Sequence, residues 1–233
     1  MMVAMNEDNE IIYFDREGEQ NAVESDSVIQ LLPAVMPKER TTMLITGKSG
    51  SGKSTTCVDF AKKYKRMYPQ RKIYLFSGKP RGEDLSYDKM QDEGDLVRIE
   101  LDERLMQPIE LNEVEYSLCI FDDTEKITNK DYHKIIYDLI VKILNLGRSY
   151  HCSCIVINHL INAHNKYSRD ILLEVDMIVF YKGEKYFNKY YLKTYEAMKP
   201  DQIEEIMNMD TRKFIIMKNH PSWILTDHKI FSI

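Results

Sequence analysis

Short apolar runs recur along the chain, and segments with helical spacing lie between them. The run Met43-Leu44-Ile45 is typical of a buried strand, and later runs of the same kind occupy 72–77, 96–99, 117–121, 153–158, 177–181 and 214–217. Helical spacing begins near residue 53 and recurs over 129–146 and 200–208. Strands that alternate with helices predict βαβ units and a mainly parallel sheet, with a ligand at the carboxyl ends of the strands.

The sequence GKSGSGKS joins the first predicted strand to its helix. It matches the pattern G-x-x-x-x-G-K-[ST], whose glycines let backbone N–H groups surround a phosphate at a helix N-terminus. We expect Lys53 to reach the β- and γ-phosphates of ATP, and the Ser54 hydroxyl to complete the coordination of Mg²⁺. The alternative is a glycine-rich turn that matches by chance. The predicted nucleotide-binding residues are Gly47, Lys48, Ser49, Gly50, Ser51, Gly52, Lys53, Ser54 and Thr55.

This motif, within the alternating pattern, predicts the fold class. We expect an α/β protein with the three-layer sandwich of P-loop NTPases and a mainly parallel central sheet. The ATPase domain is predicted to span residues 38–233, with 183–233 as a C-terminal helical and strand addition. Residues 1–37 carry many acids and little periodicity, and Pro33 and Pro37 mark a linker. They are predicted to form an acidic N-terminal extension.

An acidic pair, Asp122-Asp123, directly follows the predicted strand 117–121. We expect Asp122 to hold Mg²⁺, as a Walker B aspartate does, and Asp123 to orient or deprotonate the attacking water. Glu125 is a nearby substitute for that base. The pair could instead be an acidic loop or the N-cap of the next helix, since aspartate caps helices well.

Two further positions could complete a catalytic site. His159, at the tip of strand 153–158, could sense the γ-phosphate or position water, or it could be an ordinary surface histidine. Arg148 follows Gly147 at the end of a helix, and an arginine supplied across a subunit interface can accelerate phosphoryl transfer by roughly 10³–10⁵. Arg148 could instead interact with the dipole of that helix. Arg169 is a second candidate for the trans-acting arginine.

Composition narrows the class of protein further. The 233 residues are 43% hydrophobic and 30% charged, as expected for a soluble globular protein. No apolar run suffices for a membrane span and the N-terminus does not resemble a signal peptide, so we expect no transmembrane segment and a cytosol-like compartment. Cys57, Cys119, Cys152 and Cys154 are expected to be reduced core residues rather than zinc ligands. A net charge of −5 means that a nucleic acid would need a local basic patch.

Together, these motifs resemble those of the genome-packaging ATPases of large DNA viruses, of the poxvirus and giant-virus type, within the FtsK/HerA group of P-loop motors. The residues that carry the resemblance are 47–54, Ile120-Phe121-Asp122-Asp123, and 144–151 leading into 153–159. The helix that ends in an apolar-Gly-Arg step before a strand is the most specific of these features. The resemblance covers most of the chain beyond about residue 37.

Two positions depart from the pattern of this family. Ser149 stands where a histidine often follows the arginine, and His159 stands where a glutamine is usual. The resemblance implies ATP-driven translocation of double-stranded DNA into a preformed capsid by a homo-oligomeric ring. It also implies a capsid or membrane-associated capsid protein at the packaging vertex as a partner, and a location in the cytoplasm of the infected host cell, at the virus factory, or in the virion.

Two basic segments are candidates for contact with DNA. In 181–193, lysines at helical spacing alternate with aromatic residues, so one face could meet phosphates, although a solvated lysine face is the commoner explanation. These lysines are Lys182, Lys185, Lys189 and Lys193. A second patch, formed by Lys62, Lys63, Lys65 and Arg66, could equally be the basic end of a helix.

Two other functions fit the same nucleotide-binding motif. One is a P-loop small-molecule kinase, for which neither an acceptor site nor an arginine-bearing lid is evident in the sequence. The other is a nucleotide-gated assembly protein with little hydrolysis, against which the Asp122-Asp123 pair argues. Turnover stimulated by DNA would favour the motor, whereas phosphate transfer to a nucleoside or sugar would favour the kinase.

Overall fold

The computed structural model of the chain describes residues 2–5, 11–14, 23–24, 26, 28–33, 39–99, 107–159, 166–218 and 222–233. The strands are β1 (Met2–Met5), β2 (Ile11–Phe14), β3 (Val23–Glu24), β4 (Gln30–Leu31), β5 (Thr42–Thr46), β6 (Ile73–Ser77), β7 (Val97–Ile99), β8 (Leu118–Asp122), β9 (Ser153–Asn158), β10 (Met177–Tyr181), β11 (Lys213–Met217), β12 (Trp223–Leu225) and β13 (Lys229–Ser232). The α-helices are α1 (Lys53–Met67), α2 (Leu85–Asp92), α3 (Lys130–Leu146), α4 (Lys166–Glu174), α5 (Lys185–Thr194) and α6 (Pro200–Asn208).

The central sheet has the strand order β3-β13-β12-β11-β10-β5-β9-β8-β6-β7 within the described residues. From β10 to β7 every neighbouring pair is parallel. From β10 to β3 the pairs are antiparallel. Because the register aligns Thr46 with Asn158 and Asp122 with Ile157, the carboxyl ends of β5, β9 and β8 lie side by side at one edge.

Alternating side chains of the buried strands form two cores, one on each face of the sheet. In β9, Cys154 and Val156 contribute to the core covered by α3, α4, α5 and α6. Ile155 and Ile157 contribute to the core covered by α1 and α2. Helices therefore cover both faces, and the predicted three-layer α/β sandwich with a mainly parallel central sheet is confirmed.

The N-terminal segments contribute strands on two sides of the molecule. β3 pairs with β13 at the antiparallel edge of the central sheet. β1, β2 and β4 form a separate three-stranded sheet, and Ala4, Ile29 and Leu31 pack into the core beneath α1 and α2. The predicted linker position Pro37 lies outside the described residues. The predicted boundaries at residues 37 and 183 stay predictions.

All four cysteines are buried, as expected for core residues. Cys119 lies on β8 and Cys152 directly precedes the neighbouring strand β9, and their Sγ atoms are 3.8 Å apart. Among the helices that the structure describes, none combines the length and the apolar character that a membrane crossing requires.

Candidate active site

The loop between β5 and α1 has the backbone conformation that a phosphate cradle requires. Gly50 and Gly52 adopt left-handed φ values of +75° and +105°, where a side chain would be strained. α1 begins at Lys53, directly after Gly52, and the N–H of Thr56 makes an early helical bond to the Gly52 carbonyl at 3.0 Å. Residues of the loop and of the first turn of α1 line one cleft, so the positive end of the helix lies beside it.

Lys53 is the first residue of α1 and has a relative exposure of 7%. Its Nζ donates to the Gly47 carbonyl at 2.7 Å and to the Lys48 carbonyl at 3.0 Å. Burial lowers the pKa of Lys53, and the nearby Asp122 and Asp123 oppose that shift. The ammonium thus lies inside the loop, bonded to its carbonyls. A phosphate bound in the loop would lie close enough to attract it.

Asp122 ends β8 opposite the start of α1. Its Oδ2 accepts a hydrogen bond of 3.2 Å from the Ser54 hydroxyl, and the side chain is 3% exposed. Burial, followed by the charge of Asp123, raises the pKa of Asp122. A hydroxyl and a carboxylate, both oxygen ligands, are the donor set that Mg²⁺ uses beside nucleotide phosphates, so Ser54 and Asp122 fit the metal predicted for them.

Asp123 is the next residue, and its backbone leaves the strand in the left-handed region with φ of +53°. Its carboxylate is almost fully buried and has two partners in the cleft. The Nζ of Lys79 lies 2.5 Å from Oδ2, and Nε2 of His159 lies 2.8 Å from Oδ1. The conformation is uncommon for a residue other than glycine, and it directs this second carboxylate into the same cleft as the first.

His159 links the two sides of the site. Its Nδ1 is 3.4 Å from the Lys53 ammonium, while its Nε2 faces the Asp123 carboxylate. An ammonium can only donate and a carboxylate can only accept, so we assign the neutral tautomer that carries its proton on Nε2. The predicted strand-tip histidine is therefore a bridge between the lysine of the loop and the predicted base.

Glu125 faces the tip of β9 rather than the cleft. Its Oε1 accepts from the backbone N–H of His159 at 3.0 Å, and with the amide of Asn158 oriented to suit its neighbours, Oε2 accepts from that side chain at 3.1 Å. Asp123, Glu125 and His159 each offer a ligand atom within 4.8 Å of the others, a set that could also hold a cation. Asp123 lines the cleft and Glu125 does not, so the geometry favours Asp123 as the base.

The cleft itself has a volume of about 270 Å³. It brings together all the predicted catalytic residues except Arg148, and most of the predicted loop residues. Its lining is Ser49, Gly50, Gly52, Lys53, Ser54, Thr55, Lys79, Asp84, Ser86, Asp122, Asp123 and His159. Lys79 was not identified from the sequence, because only the approach of the chain after β6 to the end of β8 brings it here.

Tyr181, at the end of β10, was also not identified from the sequence. Its hydroxyl donates to the Gly52 carbonyl at 2.7 Å and lies 2.6 Å from Oγ1 of Thr56. A Cβ on Gly47 would come within 2.9 Å of the Tyr181 Cβ, so only glycine allows this approach. The only local signal is a tyrosine at a strand tip, which by itself does not indicate a contact with a loop 129 residues away.

Arg148 lies near the amino ends of the parallel strands, on the side of the sheet opposite the cleft. It is exposed and precedes β9, whereas the cleft lies beyond the other end of that strand. Six residues at about 3.3 Å each place roughly 20 Å between the two ends. Arg169 is exposed on α4. The structure therefore does not bring Arg148 to the nucleotide loop of its own chain.

The two basic segments differ in how their charges are satisfied. On α5, Tyr186 is 76% exposed and Lys189 pairs with Glu204, while the ammonium of Lys182, which precedes the helix, donates to the Met209 carbonyl. Lys185 and Lys193 are exposed. On α1, Lys63 donates to the Leu31 carbonyl at 3.4 Å and Lys65 to the Arg71 carbonyl at 3.3 Å. Two of the four cations in the α1 patch thus bond to backbone carbonyls of the chain, and a contact of this patch with DNA stays a prediction.

Known proteins resemble the chain in sequence and in structure. The "Uncharacterized protein V3" of Sputnik virophage is 30% identical over 201 residues, which cover 85% of this chain and 80% of V3. The genome packaging NTPase B204 of Sulfolobus turreted icosahedral virus 2, solved with ATP-gammaS, is 14% identical with a TM-score of 0.49, over 84% of this chain and 97% of B204. The pCW3 conjugation coupling protein TcpA is 11% identical with a TM-score of 0.48, over 95% of this chain and 67% of TcpA. No protein-family model matches the chain.

Proposed function

The chain belongs to the family of Sputnik virophage protein V3, and we propose that it is an ATP-hydrolysing motor that moves double-stranded viral DNA into a preformed capsid. One observation carries the ATPase part of this proposal. The Ser54 hydroxyl lies 3.2 Å from the Asp122 carboxylate, in a cleft that Lys53 and Asp123 also line. The packaging part is supported by the sequence motifs, above all by the Gly147-Arg148 step before β9.

The loop supplies the binding of the triphosphate. Its amides and the N-terminus of α1 would donate hydrogen bonds to the β-phosphate oxygens, and Lys53 would exchange its carbonyl partners for phosphate oxygens. Mg²⁺ held by Ser54 and Asp122 would neutralise the charge that develops on the phosphates. The raised pKa of Asp122 fits this role, because a buried carboxylate without a cation favours the protonated form.

Asp123 would orient the attacking water and accept its proton. Its carboxylate reaches into the cleft beside Lys53, and His159 holds Oδ1 through Nε2. A base positioned in this way contributes typically 10²–10⁴ in rate. His159 also contacts Lys53. If the Lys53 ammonium moves when ATP binds, His159 would transmit that movement to the carboxylate of Asp123.

Arg148 would act on the nucleotide of a neighbouring subunit. Its own cleft lies at the other end of β9, so the arginine can serve only a site that another copy brings to it. A head-to-tail contact of this kind, repeated around an axis, generates a closed ring. A homo-oligomeric ring is therefore part of the proposal, with a capsid or membrane-associated capsid protein at the packaging vertex as its docking partner and the cytoplasm of the infected cell as its location.

The decisive experiment measures ATP turnover against protein concentration, with and without duplex DNA, at two salt concentrations. We expect turnover per subunit to rise with concentration, because neighbours complete each site, and to rise again with DNA. DNA stimulation should weaken at the higher salt concentration, since phosphate contacts release counterions. The Lys53→Ala variant is the control for turnover by a contaminating ATPase.

Other outcomes would favour the other functions. Turnover that appears only with a nucleoside or sugar and transfers phosphate to it would identify a small-molecule kinase. Tight ATP binding with negligible hydrolysis under all conditions, unchanged by Asp123→Asn, would identify a nucleotide-gated assembly protein. Turnover that is independent of both DNA and protein concentration would contradict the motor.

A further inference from the structure

We propose that Lys79 is a second γ-phosphate-binding cation of this site, held by Asp123 until ATP binds. The inference rests on the proposed ATPase function and assigns the γ-phosphate a ligand that no sequence motif indicates. In the structure the Lys79 Nζ lies 2.5 Å from Oδ2 of Asp123. When ATP enters, its γ-phosphate oxygens replace that carboxylate as the partner of the ammonium.

The backbone places Lys79 in the cleft through a close approach at Gly78. The Gly78 N–H donates to the Asp122 carbonyl at 3.1 Å, just beyond the end of β6. A Cβ on Gly78 would lie 2.5 Å from the Asp123 carbonyl oxygen, so only glycine permits the contact. The chain after β6 is thereby pressed against the end of β8, and the next residue extends its side chain along the wall of the cleft.

Lys79 is the more exposed of the two lysines that line the cleft. Lys53 is 7% exposed and donates to two loop carbonyls, whereas the side chain of Lys79 is 30% exposed. A lysine on a flexible four-carbon stem can change partners without moving the backbone. Lys79 can therefore reach a ligand within the cleft by rotating its side chain alone.

Charge also favours this exchange. Asp122 and Asp123 already place two carboxylates in the cleft, and the γ-phosphate adds further negative charge beside them. Like charges held close together repel one another, so a further cation beside the phosphate, in addition to Lys53 and Mg²⁺, stabilises the bound state. Lys79 supplies that cation, and charge-assisted bonds to phosphate are stronger than ordinary hydrogen bonds.

The exchange would also prepare the base. Once Lys79 binds the γ-phosphate, Oδ2 of Asp123 is released from the ammonium, while His159 still holds Oδ1. The released oxygen can then accept a hydrogen bond from water. ADP has no γ-phosphate, so after hydrolysis and phosphate release Lys79 would return to Asp123.

The test compares the affinities of ATPγS and ADP by calorimetry, for the wild type and for Lys79→Ala, Lys79→Gln and Lys79→Arg. The wild type exchanges its Asp123 contact for the phosphate, so the Ala and Gln variants lose only the difference between two charge-assisted contacts, and ATPγS binding is expected to weaken by about 5- to 10-fold. ADP affinity should stay within about 2-fold of the wild type, a change well under 1 kcal/mol. Lys79→Arg keeps the charge and should retain most of the ATPγS affinity.

The matched control is Lys89→Ala, which removes an exposed lysine from α2, the helix that follows Lys79 in the chain. It should change neither affinity. Lys79→Gln, which removes the charge but keeps a polar side chain only one atom shorter, serves as the second variant if Lys79→Ala does not fold. Equal loss of ATPγS and ADP affinity, or loss of neither, would overturn the inference and leave the proposed function standing. A wild-type protein that does not bind ATPγS would instead overturn the proposed function.

Discussion

The two ends of β9 differ in chemistry, and the difference indicates how the active site is completed. At the carboxyl end, His159 faces the Lys53 ammonium and the buried carboxylate of Asp123. At the amino end, Arg148 is exposed. One end has the parts that bind a triphosphate and activate water, and the other has the cation that phosphoryl transfer commonly uses. A single subunit presents the two at opposite edges of its sheet.

The alternative explanation is that Arg148 interacts with the dipole of its own helix, α3. The position of a different arginine, Arg40, argues against it. Arg40 donates through its guanidinium to the carbonyls of Ile143 and Leu144, the second of these at 2.5 Å. These carbonyls lie in the last turn of α3, where a cation interacts with the helix dipole. Because Arg40 already occupies this position, Arg148 is available at the surface.

The largest expected effect tests the amino end of β9. Arg148→Ala should lower kcat by roughly 10³–10⁵, the range for a trans-acting arginine, with ATP affinity unchanged. Steady-state turnover and equilibrium binding of ATPγS provide the two measurements. Arg169→Ala is the matched control on α4 and should retain activity. If Arg169→Ala were inactive and Arg148→Ala active, the roles of the two arginines would be reversed.

The next effect concerns the carboxyl end. Asp123→Asn should lower kcat by about 10²–10⁴ while ATP still binds, because the variant keeps the size of the side chain and loses the base. Glu125→Gln should have a much smaller effect, since Glu125 accepts hydrogen bonds from the tip of β9 and does not line the cleft. A larger loss in Glu125→Gln, measured by single-turnover hydrolysis, would assign the base to Glu125.

A smaller effect is expected at Tyr181, which supports the loop from β10. Tyr181→Phe removes the hydroxyl that contacts the Gly52 carbonyl and Thr56, and an ordinary hydrogen bond contributes about 0.5–1.5 kcal/mol. ATP affinity should fall by roughly 2- to 10-fold, with kcat for bound ATP little changed. A fall in kcat without a change in affinity would mean that the tyrosine acts on the chemistry rather than on the loop.

The smallest effect is one of stability. Burial and the charge of Asp123 raise the pKa of Asp122, so its ionised form destabilises the folded protein as the pH rises above the ordinary value of 3.8. Asp122→Asn should therefore raise the Tm of the nucleotide-free protein by a few degrees at pH 7, and the difference should vanish below that ordinary value. The same variant should lose the stabilisation by Mg²⁺ and ATP that we expect for the wild type in calorimetric scans.

The parts of the molecule that the sequence predicted are those whose signals are local. The strand that becomes β5, the loop with Lys53 and Ser54, and the pair at the end of β8 each occupy a few consecutive residues. Their types follow from apolar runs, glycine and acidic residues. The parallel order of the sheet then brings the separate signals to one edge, as the alternation of strands and helices predicted.

The parts that were missed depend on contacts between distant segments. Lys79 enters the site only because Gly78 allows two strand ends to touch, and Tyr181 reaches Gly52 across 129 residues of sequence. The pairing of β3 with β13 is equally non-local, since nothing in a two-residue strand near the N-terminus indicates its partner. Periodicity indicates which residues are buried, but it does not indicate which distant segments pair with each other in the tertiary fold.

The most direct measurement mixes two inactive proteins. Lys53→Ala lacks the lysine that binds the phosphates of ATP, and Arg148→Ala lacks the trans-acting arginine. In a ring that contains both variants, some interfaces place an intact loop opposite an intact arginine. An equimolar mixture, exchanged until tagged and untagged subunits purify together, should recover up to roughly a quarter of wild-type turnover, the share of complete head-to-tail interfaces in a random ring. A mixture no more active than its two components would contradict an active site shared between neighbouring subunits.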